Sequence, residues 1–243
     1  MRRSNLLKAP RREDVNASID ACLANAARLM DDAQALEFQE QGGVRLAICM
    51  LAQEEYAKAF LLYMVREGFL PWESALLRVI RNHACKHLLA IVMEWVKPEW
   101  STLEELQTIM AAEFAADRFP PRVSSALNIL YFEKIRGRDF SYSDDEQYEP
   151  DVVAIARGER DAVKQDALYV DIDKGCRVKN TPNDLTREDA EAEYKRAVRY
   201  ESIIRTLIHP DAVEGIQLAK LKEAMKIVFW QDCKPDSSNA PPP

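Results

Sequence analysis

The sequence predicts an all-α protein, an antiparallel helical bundle with one small β-hairpin insertion and additional C-terminal helices. Three observations lead there. Helix-favouring residues, Ala, Leu and Glu foremost, dominate, while only seven glycines occur in 243 residues. Apolar residues recur at helical spacing along most of the chain, with short breaks between stretches. One segment alone, ALYVDIDKGCRV (167–178), gathers β-branched and aromatic residues around an Asp-Lys-Gly turn.

The elements follow in order. Residues 1–12 read as a loose basic arm and 231–243 as a disordered tail, with a single domain, 13–230, between them. From Glu13 to about Phe38, the residues Val15, Ile19, Cys22, Leu23, Leu29, Met30, Ala33 and Leu36 mark a first helix, which Gln-Gly-Gly (41–43) ends. A second runs from Leu46 to Val65 and is closed by Gly68 and Pro71. A third is expected from about Trp72 to Val96, with Leu77, Ile80, Ala84, Leu88, Ile91 and Trp95 in one stripe. Ser101 or Thr102, with Glu104 or Glu105, signals the cap of a fourth helix reaching about Arg118. Pro-Pro (120–121) restarts the chain into a fifth, Arg122 to Ile135. Short connections make these helices antiparallel neighbours. Residues 136–150 read as a long polar loop, 151–165 as helix, and 167–178 as the hairpin. Thr186 caps a long charged helix to about His209, and Pro210-Asp211 opens a last one ending near Trp230.

Composition narrows the function. A net charge of −7 confines any nucleic-acid site to a local basic patch. The five cysteines are scattered without CxxC spacing, and the basic N-terminus lacks the apolar run of a signal peptide, so a reducing cytoplasm is expected. The second helix has the length of a membrane span. Its midpoint carries Glu54, Glu55 and Lys58, which argue instead for a buried core helix and no membrane partner.

Those charges need a reason. Sixteen of the twenty residues from Leu46 to Val65 are apolar, and the exceptions, Gln53, Glu54, Glu55 and Lys58, are bunched at the centre. A buried carboxylate costs several kcal/mol, on the order of what a whole ion pair returns, unless it is paired. Glu54 and Lys58 are spaced i,i+4 and would neutralise each other at a solvated edge. The third helix offers another partner set in RVIRNHACKH (78–87), where His83 and His87 share a face. Glu54 and Glu55 precede the turn near Gly68–Pro71 by about as many residues as His83 and His87 follow it, so an antiparallel pair sets carboxylates opposite imidazoles.

Three roles fit such a cluster. The carboxylates can hold Arg81, His83 or Lys86 in a purely structural network. Two Glu and two His on facing helices can ligate a metal, although the paired Glu-x-x-His of di-iron bundles is absent. Or the group can cleave RNA without metal: Arg neutralises the scissile phosphate, His moves a proton at the 2′-hydroxyl or the leaving oxygen, and the carboxylate orients the imidazole.

The helix carrying EExxKA (Glu54, Glu55, Lys58, Ala59), followed by one carrying HxxK (His83, Lys86), resembles the AbiV family of abortive-infection proteins. KQDALYVDID (164–173), before a long charged helix, resembles that family's hairpin region, and the likeness covers roughly residues 15–210. The family is similar to the HEPN superfamily of helical bundles. Its signature of Arg, a polar residue, a spacer and His fits Arg81, Asn82 and His87, and more loosely Arg78 with His83. The resemblance implies a HEPN-like bundle and an abortive-infection effector with ribonuclease activity, in which Arg81, His83, His87, Glu54 and Glu55 are catalytic and Lys58, Asn82, Lys86 and Arg78 support them. No metal or other cofactor is implied. RNA is the implied substrate, a homodimer the implied assembly, and a phage protein, host protein or antitoxin a further partner. Which histidine matters stays open. The rival reading is a non-catalytic helical interaction protein that binds a phage or host factor, its polar cluster structural.

Overall fold

The computed structural model describes residues 7–39, 41–96, 119–135 and 148–208. Helix α1 (Arg12–Ala35) buries one stripe, Val15, Ile19, Leu23, Ala26, Leu29, Met30 and Ala33, against α2 (Gly43–Arg66). By contrast α2 is buried on nearly every side. It touches α1, α4 (His83–Val96), α7 (Glu159–Asp166) and α8 (Arg187–Ile208), so it forms the axis of the bundle. Tyr56, Phe60 and Met64 of α2 meet Leu88 and Met93 of α4 and Ile204 of α8 in one continuous core. At roughly 1.5–3 kcal/mol per fully buried large apolar side chain, this core supplies most of the drive to fold.

The turn after α2 falls where glycine and proline place it. Gly68 takes a left-handed backbone (φ 73), its N–H reaching the carbonyl of Val65 and that of Phe69 reaching Met64 at 2.8 Å. This pair of bonds closes the helix end, and buried Phe69 packs beneath it.

The helix expected over 72–96 is two helices, α3 (Ser74–Arg81) and α4, parted at Asn82 (φ −94, ψ 122). The Asn82 side chain accepts the N–H of Cys85 at 3.0 Å, so it caps α4. A side chain that can replace a missing backbone partner competes with helix continuation, and apolar spacing carried across the break conceals it. The 151–165 helix is likewise split into α6 (Pro150–Ala156) and α7 by Gly158, whose φ of 90 is one that other residues rarely adopt. The 122–135 helix begins as α5 (Pro121–Asn128) and widens into a π-helical segment, Ile129–Ile135.

The hairpin's first strand starts four residues later than expected, at 171 instead of 167. Strand β1 (Asp171–Ile172) pairs antiparallel with β2 (Val178–Asn180), while Ala167 ends α7 instead. Thr186 caps α8 as expected: Asp189 N–H reaches its hydroxyl at 3.1 Å, and the Asp189 carboxylate returns to Thr186 N–H at 3.0 Å. The expected helices at 101–118 and 210–230, and most of the 136–150 loop, lie outside the described residues.

Candidate functional site

Being surrounded, α2 must find a partner for every polar side chain it buries. Glu54 is 2% exposed and finds three, with a fourth group just beyond hydrogen-bond reach. The ammonium of Lys86, from α4, donates to Oε2; that of Lys164, from α7, donates to Oε1 at 2.7 Å. His83 Nδ1 lies 2.6 Å from Oε2, and His87 Nε2 lies 3.7 Å from Oε1. Burial pushes the Glu54 carboxyl upward, but the hydrogen bonds and charges of Lys164 and Lys86 outweigh it and hold the group at about 2. It is a carboxylate throughout the neutral range.

The two histidines differ sharply. His83 is the first residue of α4, and its side chain is 45% exposed. At 2.6 Å a carboxylate oxygen and a bare ring nitrogen would repel, so Nδ1 carries the proton and donates to Glu54. That leaves Nε2, on the opposite side of the half-exposed ring, as the nitrogen without the proton. One turn on, His87 is buried, and its Nε2 has no hydrogen-bond partner among the described residues. Burial first, then the charge of Arg160, pushes it down to about 4. It is therefore a neutral imidazole.

Other expected residues lie elsewhere. Glu55 pairs with Lys58 at 2.5 Å, replacing the expected Glu54–Lys58 pair. One residue along a helix is about 100° around it, which turns Glu55 toward Cys22 of α1. That thiol is pushed up to about 11 by burial and then by the Glu55 charge. Arg78 and Arg81 are exposed on the last turn of α3, and Asn82 serves as the cap. Thus the structure gathers Glu54, His83, Lys86 and His87, and sets Glu55 and Lys58 apart.

Helix α7 contributes residues that the sequence reading did not include. Lys164 Nζ lies 2.7 Å from Glu54 Oε1, 2.7 Å from Asp161 Oδ1 and 3.1 Å from His83 Nδ1. The Asp161 contact is an ion pair without hydrogen-bond alignment, and Oδ1 is buried with no other partner among the described residues. Beside it Arg160 bonds Gln53 Oε1 at 3.1 Å and Glu193 Oε2 at 2.7 Å, and Gln53 donates to the same Glu193 oxygen at 2.8 Å. The hints in the sequence were Lys164 at the head of KQDALYVDID and the grouping of Arg160, Asp161 and Lys164 within about one helical turn. Glu54, His83 and Asp161 each offer a ligand atom within 4.8 Å of the others, and the Lys164 ammonium touches all three.

A family model described as AbiV, of the HEPN group, matches residues 14–200. The chain belongs to the AbiV family. No curated protein and no solved structure matches it. The matched span of this AbiV-family HEPN protein holds every member of the Glu54 cluster, from α2 to α7. None of its described helices is long and apolar enough to cross a membrane.

Proposed function

We propose that this AbiV-family protein is an abortive-infection effector that cleaves RNA by a metal-independent HEPN-type reaction in which His83 moves the proton. One observation carries the reading: an exposed imidazole is hydrogen-bonded through Nδ1 to a buried carboxylate that two lysines keep ionised. A carboxylate so placed fixes the ring's tautomer and stabilises the imidazolium formed when Nε2 accepts a proton. In the proposed step Nε2 takes the 2′-hydroxyl proton, the 2′-oxygen bonds to the adjacent phosphorus, and the 5′-oxygen leaves and is protonated by water. The products are a 2′,3′-cyclic phosphate and a 5′-hydroxyl end. Arg81, two residues before His83 and exposed, supplies the cation for the phosphate. Buried His87 supports the site as a neutral ring, and a homodimer brings two such sites into one assembly.

The test is an RNA-cleavage and cell-toxicity assay on wild type, His83→Ala and His87→Ala. His83→Ala is expected to fold, melt within a few degrees of wild type and lose roughly 10²–10⁴-fold in cleavage, the usual worth of a positioned acid–base group. A folded, fully active His83→Ala overturns the reading.

A second reading, a non-catalytic protein that binds a phage protein, host protein or antitoxin, draws on the hairpin. Tyr169, Val170, Ile172 and Val178 are all more than half exposed there. Exposed apolar residues grouped in this way suit a protein contact. Under that reading His83→Ala keeps its toxicity and Ile172→Asp loses it.

A further inference from the structure

Lys164 is 4% exposed, and its reach to Glu54 crosses 110 residues of sequence. Three ligand-type atoms surround its ammonium: a Glu54 carboxylate oxygen that accepts a hydrogen bond from it, an Asp161 oxygen in ion contact, and the protonated Nδ1 of His83 at 3.1 Å, which Glu54 holds in place. Two further facts show that the pocket is built for a cation and is not a chance packing of charges. Asp161 Oδ1 is buried and makes no hydrogen bond among the described residues, so the nearby positive charge is what offsets its desolvation. His87, 4% exposed, brings an Nε2 with no hydrogen bond among the described residues to 3.7 Å from the same Glu54 oxygen that Lys164 bonds. Removing the ammonium would leave two carboxylates and the His83 imidazole, whose ligand atoms lie within 4.8 Å of one another, around one vacated volume. That is the donor set of a zinc site, whose ligand distances of about 2.0–2.2 Å require only a modest contraction. Glu54 would keep Lys86 on its other oxygen.

We infer that Lys164 is a positioning residue whose ammonium is the resident cation of this pocket, holding the Glu54 carboxylate and the His83 ring in register. The role in cleavage rests on the ribonuclease reading above; the pocket itself does not.

The experiment titrates Zn²⁺ calorimetrically into the full chain as wild type, Lys164→Ala and Lys164→Ala/Asp161→Asn, with thermal melts in methylammonium chloride alongside. Wild type is expected to take up no zinc in the pocket and to ignore methylammonium. Lys164→Ala is expected to bind one equivalent of zinc, releasing the Nδ1 proton of His83 to solvent, and to melt higher with methylammonium. Adding Asp161→Asn should weaken zinc at least tenfold. In the RNA assay Lys164→Ala should lose roughly 10- to 100-fold in kcat, the usual effect of removing a group that orients a functional ligand. Its KM should stay unchanged, and methylammonium should restore part of the rate.

A folded Lys164→Ala that neither binds zinc nor responds to methylammonium overturns the inference. So does a wild type that takes up zinc through Asp161. If Lys164→Ala does not fold, Lys164→Met keeps the aliphatic stem without the charge. A folded Lys164→Met with wild-type kcat and unaltered His83 ring NMR signals overturns the inference as well. A wild type that cleaves no RNA removes the ribonuclease reading alone, since zinc uptake and the methylammonium response still decide the pocket.

Discussion

The pocket around Glu54 and the hairpin at 171–180 use the same chemistry with opposite consequences. Both pair carboxylates with cations at hydrogen-bond distance. In the hairpin Asp171 meets Lys179 at 2.6 Å and Asp173 meets Arg177 at 3.0 Å, over eight and four residues, in solvent. In the pocket Glu54 meets Lys86 and Lys164 over 32 and 110 residues, nearly out of solvent. Water screens the first set and makes each member dispensable. The second set has no water to fall back on, so each member holds the others to their helices. Distance in sequence and burial, more than bond length, separate the two.

The comparison breaks most visibly at Glu54. Glu54→Ala strands two buried ammonium groups and is expected to cost about 3–5 kcal/mol, read as a lower midpoint in urea denaturation. A midpoint shift under about 1 kcal/mol would place the pocket in the same class as the hairpin.

Acid should divide the two regions next. Glu54 is held at about 2, against 4.5 ordinarily, so its contribution is complete above pH 4.5 and is lost as pH falls toward 2. His87 is held at about 4, against 6.5, so the unfolded chain takes up its proton first. That contribution is complete above pH 6.5 and fades toward 4. Each amounts to something on the order of 3 kcal/mol. Denaturation midpoints followed from pH 7.5 to 3 should fall in two stages, and the upper stage should vanish in His87→Phe. A flat profile between 6.5 and 4 would contradict a neutral, buried His87.

Smaller effects sharpen the contrast. Asn82→Ala removes the α4 cap and should cost about 1 kcal/mol, with Asn82→Asp restoring it. Equal stability of all three would mean that the break between α3 and α4 does not depend on the cap. Last, Lys179→Ala with Arg177→Ala, both in the exposed hairpin, should leave the melting temperature unchanged within error.

Much of this fold was legible because local rules decide it. Gly68 closes α2, Thr186 opens α8, and the apolar stripe of α1 spans the right residues. Equal spacing about the turn also set Glu54 across from His83, Lys86 and His87, even though the helix carrying them proved to start at His83. What escaped was decided by burial and by tertiary distance. Apolar all round, α2 gives no pattern to say which of Glu54 and Glu55 faces α4, and the two point about 100° apart. Lys164 sits on an eight-residue helix too short to show a period, and nothing local ties it to a residue 110 positions earlier.

That separation has a consequence during synthesis. At 5–20 residues per second a ribosome adds the stretch between Glu54 and Lys164 in roughly 5–20 seconds. For that interval the nascent chain offers Glu54 at most one of its two lysine partners, Lys86, and leaves the face later covered by α7 and α8 open to water and to chaperones. The emerging chain therefore carries its central helix incompletely clothed until α7 and then α8 are made, and any pause between residues 96 and 187 lengthens that exposure.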